Sequence, residues 1–147
     1  MSLSEIFNIT GSALSAQTIR LNTTASNMAN VDAIAGSEQD VYKARYPVFQ
    51  TAFLQASGEL SQFSSALSGQ SSPGVKVSGI VESTAKPVMR HQPDHPLADA
   101  DGNIYVANIN MVEEMTNMIE ASRSYQTNIQ VANTAKQLIQ QTLRLGS

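Results

Sequence analysis

The stretch NMVEEMTNMIEASRSYQTNIQVANTAKQLIQQTLRL, residues 110–145, decides how the rest of this chain reads. Met111, Met118, Tyr125, Ala132 and Ile139 recur every seven residues, and Met115, Ile129 and Leu143 fall in the adjoining row, interrupted by Ser122 and Lys136. Seven residues are close to two helical turns, so a seven-residue apolar period predicts a long helix with a seam along one side. Val112, Ile119, Val131, Leu138 and Leu145 widen the apolar surface beyond what a single partner helix covers. No proline interrupts the stretch, and Gly146 follows the last periodic residue, where a helix stop is expected.

The opposite end carries the same period. From Ser4 to about Asn30, Phe7, Leu14, Leu21 and Met28 are seven apart, and Gly11, Thr18 and Ala25 lie between them. Large residues alternating with small ones let a neighbouring helix approach closely, and only Glu5 and Arg20 bring charge to the segment. At 1.5 Å per residue such a helix is about 40 Å long, with Gly36 the place where the chain leaves it. Between the two helical segments lie all five prolines and a series of short apolar runs. Tyr42 to Phe53, interrupted at Pro47, Gly74 to Glu82, Lys86 to His91 and Asn103 to Val106 read as strands. Ser57 to Pro73 is rich in Ser, Gln and Gly, with Leu60, Phe63 and Leu67 at the spacing of a short helix.

These patterns predict a mainly α fold. Its long N- and C-terminal helices pack as a coiled-coil-like pair beside a middle segment of short β-strands and loops. The expected divisions are 1–35 for the N-terminal helix, 36–107 for the middle segment with its Ser/Gln-rich insertion 55–73, and 108–147 for the C-terminal helix. Two such helices cover only part of each other's apolar surface. A large exposed apolar surface marks an interaction site, and a repeated contact that does not close builds a filament, so self-assembly is the first functional expectation.

Composition agrees with a life spent against other protein. The chain has 147 residues, 41% of them hydrophobic but only 14% charged, where soluble domains carry roughly 25% charged residues. Ser, Thr, Asn and Gln take the place of charge. The net charge of −3 and the absence of any Lys/Arg cluster argue against nucleic acid as a partner. There is no cysteine, hence no disulfide and no thiolate metal site. The first basic residue is Arg20 and Glu5 interrupts the early apolar run, so no cleaved secretory signal is expected, and no run approaches a membrane span of about 20 residues.

Three motifs resemble a known family. Arg20-Leu-Asn-Thr-Thr-Ala-Ser-Asn-Met-Ala-Asn30 is similar to the N-terminal signature of flagellar axial proteins, carried here by Ala25, Asn27, Ala29 and Asn30, with Met28 where leucine is common. His95, Pro96, Leu97, Ala98 and Asp99 open the second motif, which runs to Asn103; Glu114-Met115 follows, then Ala121 with Ser122, Arg123, Ser124, Tyr125 and Gln126. The third is Gln141-Thr-Leu-Arg-Leu-Gly146. Together they resemble the proximal-rod branch of that family over roughly 1–46 and 74–147. Asp94, Ala107-Asn108 and Gln141 stand where the family commonly has Gly, Pro-Asn and Lys. The resemblance implies a structural subunit of the basal-body rod, located in the periplasm and exported by the flagellar type III apparatus without a cleaved signal. It also implies partners: further copies, rod proteins of the FlgB, FlgF and FlgG types, and an adaptor of the FliE type.

No chemistry-bearing motif competes with this reading, and no catalytic, cofactor or metal residue is expected. His91 and His95, with Asp94 and Asp99 nearby, have the four-residue spacing of a helical metal site, but Pro93 and Pro96 break any helix there. Asp99-Ala-Asp101-Gly-Asn103 begins like a calcium loop, yet its glycine comes early and the twelfth position is Asn110 rather than a glutamate, so it reads as a turn into Ile104. Gly69 and Gly74 have phosphate-loop separation but are followed by Val75-Lys76. The alternatives kept are a soluble coiled-coil adaptor and a hydrolase using the His91–Asp99 loop. Glu120 and Arg123 either pair across one turn and solvate the helix, or Arg123 meets a neighbouring subunit.

Overall fold

A computed structural model of the chain describes residues 3–53 and 73–145. The elements in order are α1 (Leu3–Ala29), β1 (Ile34–Ala35), β2 (Arg45–Phe53), β3 (Pro73–Glu82), β4 (Val88–His91), β5 (Asn103–Val106) and α2 (Met111–Leu145). The short helix expected over Ser57 to Pro73 lies outside the described residues, except that Pro73 opens β3.

The expectation of a mainly α fold is corrected. Half of the described residues are helical, but 23% lie in strands that form two sheets, so the class is α plus β. Two strands account for most of the difference: β2 and β3 run nine and ten residues and pair as a two-stranded ribbon. Pro47 does not interrupt β2. The N–H and C=O of Arg45 point away from β3, to the Asn27 side chain, and Pro47, two residues on, has the same outward parity. Its missing N–H therefore removes no bond of the ladder.

Helix α1 ends at Ala29 rather than running toward Gly36. The last turn tightens, with Asn30 and Val31 donating to the carbonyls of Asn27 and Met28, and Asn30 Nδ2 bonds back to the Ser26 carbonyl at 2.8 Å. The released chain pairs instead as β1. Gly36 serves a close approach, because a Cβ there would sit 2.9 Å from the Leu97 carbonyl oxygen. At the start of α2, Asn110 Oδ1 accepts the Val112 N–H at 3.0 Å and acts as an N-cap. Glu113 and Glu114 in the first turn and Arg144 in the last suit the helix dipole.

The described residues fall into two compact units. One comprises the described residues within 1–18, 49–78 and 123–147. Its buried side chains on the helices are small, Thr10, Ala16 and Ala135, and Ser12 Oγ fastens α1 to β3 by accepting the Val75 N–H at 3.1 Å. The other comprises 19–48 and 79–122 and holds the three-stranded sheet β1-β5-β4. Both pairings are antiparallel, Ile34 opposite Val106 and Val88 opposite Val106 on the two sides of β5. The central strand buries Ile104 and Val106, which with Val41, Ala44, Ala107 and Ala121 are the buried apolar residues of this unit.

Candidate functional site

The second unit is knit by a buried polar node. Asn27 is 1% exposed and Glu114 2%. Asn27 Oδ1 accepts the Arg45 N–H at 2.9 Å and the Tyr42 hydroxyl at 3.0 Å. Its Nδ2 donates to the Arg45 carbonyl at 3.0 Å and to Glu114 Oε2 at 3.2 Å. Four bonds are all that one amide side chain can make, so this residue joins α1, the start of β2 and α2 at a single point. Ser26 Oγ lies 3.1 Å from the Tyr42 oxygen; since that hydroxyl gives its proton to Asn27, Ser26 is the donor. Tyr46 donates to Glu114 Oε1 at 3.2 Å. The Arg45 guanidinium meets Glu82 at 3.2 Å and lies 5.6 Å from the Tyr42 ring centre.

A second link lies one heptad away. Arg20 Nη2 reaches Asn117 Oδ1 at 3.1 Å and Glu120 Oε2 at 3.2 Å. Since residue numbers fall along α1 from 27 to 20 while they rise along α2 from 114 to 120, the two helix segments of this unit run antiparallel. The pairing of Glu120 is therefore across helices, to Arg20. The surface between the segments is small and polar, with Thr23, Thr24, Asn27 and Ala121 all buried.

Tyr46 is 41% exposed, but partial desolvation raises its hydroxyl above the ordinary value of 10.0, and the Glu114 carboxylate adds to the rise by charge and by hydrogen bond. A raised folded-state value means the stability it reports is present below about pH 10 and is lost as pH climbs through the higher value. Tyr46→Phe is expected to flatten this alkaline limb while leaving a small loss at neutral pH from the missing bond to Glu114. Thermal unfolding across an alkaline pH series measures both; an unchanged alkaline limb would disprove the assignment.

The periodic rows occupy different depths. Leu14, Leu21 and Met28 of α1 are half-buried and Phe7 is exposed. In α2, Met118, Tyr125, Ala132 and Ile139 are half-buried, whereas Met111, Met115, Ile129 and Leu143 are exposed. The most buried residues of α2 are Glu114, Ala121 and Ala135, members of a seven-residue row with Asn128. Sequence reading passed over this row because its members are small or polar, although a heptad of small residues is itself a signal of close helix approach.

Among the motif residues, Ala25 and Ala29 are exposed, Asn27 is buried and Asn30 half-buried. His95, Ala98 and Asp99 are half-buried, and Pro96 and Leu97 exposed. Ser122, Ser124 and Tyr125 are half-buried, with Arg123 and Gln126 exposed. The His95–Asn103 motif builds the turn between β4 and β5: His95 Nδ1 accepts the Leu97 N–H at 3.1 Å, and His91 Nδ1 lies 3.1 Å from Asn103 Oδ1.

Large apolar side chains remain on the surface of α2. In the second unit Val112, Met115 and Ile119 are 70%, 48% and 51% exposed and share one helical face by spacing. In the first unit Ile6, Thr127, Gln130, Val131, Thr134, Ala135 and Leu138 line an open groove of about 390 Å³. Thr127 and Thr134 turn their hydroxyls onto the carbonyls four residues back, each at 2.9 Å, which satisfies the oxygen within the helix. What these threonines present to a neighbour is largely methyl.

Comparison with known proteins places the chain in a family. Residues 7–33 match the family model described as flagella basal body rod protein, and residues 100–145 match flagellar basal body rod FlgEFG protein C-terminal. The flagellar basal-body rod protein FlgC of Yersinia enterocolitica is 46% identical over 146 residues, 99% of each chain. Its counterparts from Salmonella typhimurium (strain LT2) and Escherichia coli O157:H7 are 44% and 42% identical over the same 99% of each chain. The chain belongs to the FlgC family of flagellar basal-body rod proteins.

Proposed function

We propose that the chain, a structural subunit of the flagellar basal-body rod, works by association alone, burying the exposed faces of its helices against neighbouring subunits. The observation that carries this reading is the Val112, Met115 and Ile119 face, three large apolar side chains that the chain itself leaves about half exposed or more. A patch of this kind is a site of protein contact. The groove between Ile6 and Leu138 offers a second such surface.

In this reading the terminal segments 1–35 and 108–147 form the axial core around an export channel, and the middle segment 36–107 packs outside them. The rows Phe7 to Met28 and Met111 to Leu143 supply the seams. Neighbours are further copies and rod proteins of the FlgB, FlgF and FlgG types, with a FliE-type adaptor toward the membrane ring. The chain reaches its place in the periplasm through the flagellar type III apparatus. Its family is structural, and association needs no catalytic group. No described helix is long and apolar enough to cross a membrane.

Site-specific photo-crosslinkers in intact basal bodies test the proposal. A crosslinker at Ile119 or Leu138 is expected to capture a second copy or another rod subunit in high yield, and one at exposed Glu38 much less. Capture at Glu38 with none at Ile119 or Leu138 would overturn it.

A further inference from the structure

We propose that Asp101–Gly102 is a latent site of spontaneous isoaspartate formation, and that Asp99 holds it shut. The sequence contains no Asn-Gly pair, and this is its single Asp-Gly pair. The pairing matters because an aspartyl carboxyl is attacked by the backbone nitrogen of the next residue, and any side chain on that residue shields the nitrogen. Glycine cannot readily be exchanged here. Gly102 has φ of 74°, and a Cβ would lie 3.0 Å from Pro93 Cβ and 3.1 Å from His91 Cε1.

The reaction is balanced without any co-reactant other than water. Gly102 N loses its proton and bonds to Asp101 Cγ; a carboxyl oxygen of Asp101 leaves as water, closing a five-membered succinimide. Water then opens the ring at either carbonyl, regenerating aspartate or leaving isoaspartate of identical composition. Ring closure needs a free Gly102 nitrogen and a backbone able to bend toward the side chain.

Asp99 denies both. Its carbonyl accepts the Gly102 N–H at 3.0 Å, so the attacking nitrogen is engaged. Its Oδ1 accepts the N–H groups of Asp101 at 2.9 Å and Asn103 at 2.8 Å, which fixes the backbone on both sides of the susceptible bond. Asp101 is itself exposed, so water is at hand for hydrolysis once the turn opens. Isoaspartate would insert a methylene into the main chain just before Asn103, the first residue of the central strand β5. It would displace Gly102, whose carbonyl accepts the Gln92 N–H at 2.9 Å, and loosen the pairing of β5 with β4.

The experiment ages the purified full-length chain at neutral pH and warm temperature. It counts isoaspartate at position 101 by mass spectrometry after cleavage with a protease that cuts before aspartate but not before isoaspartate. A synthetic peptide of residues 97–105 is aged alongside. The folded chain is expected to accumulate isoaspartate about tenfold more slowly than the peptide, the factor set when one hydrogen bond must be given up on the way to the transition state. Asp99→Ala, which loses the Oδ1 bonds but keeps the backbone acceptor of the Gly102 N–H, is expected to isomerise several-fold faster than the parent yet more slowly than the peptide, Asp99→Asn, which keeps an Oδ1 acceptor, to stay near the parent, and Asp99→Ala/Asp101→Ser to form none. A parent chain that isomerises as fast as the peptide, or an Asp99→Ala chain no faster than the parent, would overturn the proposal.

Discussion

Replacing Asn27 by leucine is expected to destabilise the chain by about 3–5 kcal/mol, because it leaves several buried or half-buried polar partners without their bonds. The Arg45 N–H and C=O, the Tyr42 hydroxyl and Glu114 Oε2 all lose a partner at once. Leucine shares the γ-branched shape of asparagine but is larger, so some overpacking adds to the loss from the missing bonds. At 2–4 °C per kcal/mol for a chain of this size the melting temperature falls by roughly 10 °C. Asn27→Asp separates charge from shape. It keeps an oxygen for Arg45 and Tyr42 but sets a second carboxylate against Glu114 Oε2, and is expected to be as damaging as leucine. Adding Glu114→Gln to Asn27→Asp supplies an amide that can donate to the new carboxylate, and is expected to recover part of the loss, the non-additivity expected of groups in one network. Thermal unfolding followed by circular dichroism reads all three. A change under 1 kcal/mol for Asn27→Leu would show that the node does not hold this unit together.

The node also explains which parts of the fold were legible in the sequence. Periodicity announces helices at both ends, since Phe7 to Met28 and Met111 to Ile139 keep their seven-residue spacing regardless of what surrounds them. Periodicity of large side chains does not say how deep each row lies. In the second unit the innermost places go to Asn27, Glu114, Thr23, Thr24 and Ala121, residues that rank low on any hydrophobic count. Asn27 and Glu114 can be buried because bonds between segments 18 and 87 residues apart satisfy them, and such bonds leave no local trace, whereas Thr23 bonds back to the Ile19 and Arg20 carbonyls of its own helix. The strands were underestimated for a related reason. Pro47 is a strand breaker only when its N–H would be needed, and that depends on parity set by Asn27 gripping Arg45. The turn from His95 to Asn103 was more legible, because Asp99, Gly102 and the prolines act on their immediate neighbours.

Asp placed on the exposed apolar faces is expected to separate folding from assembly. Ile119 is 51% exposed and Ile129 37%, so Ile119→Asp or Ile129→Asp removes little buried area from the isolated chain, and surface changes of this type stay within about 0.5 kcal/mol. If the same face is buried between subunits, the new carboxylate has no cationic partner prepared for it, and an uncompensated buried charge costs several kcal/mol. A loss of about 2.8 kcal/mol per contact lowers each subunit-addition constant roughly a hundredfold, and a rod repeats the contact at every addition. Rod completion and motility are therefore expected to fail while the melting temperature of the purified chain barely moves. Leu21→Asp is a poorer probe, because Leu21 is half-buried and adjoins Thr23 and Thr24 on α1, so it disturbs the subunit as well as the contact. The measurement is a count of completed rods together with swimming, in cells where the variant is shown to leave the cytoplasm. Normal rods with both Ile119→Asp and Ile129→Asp would mean that these faces meet solvent in the assembled structure, and association would have to run through other surfaces of the chain.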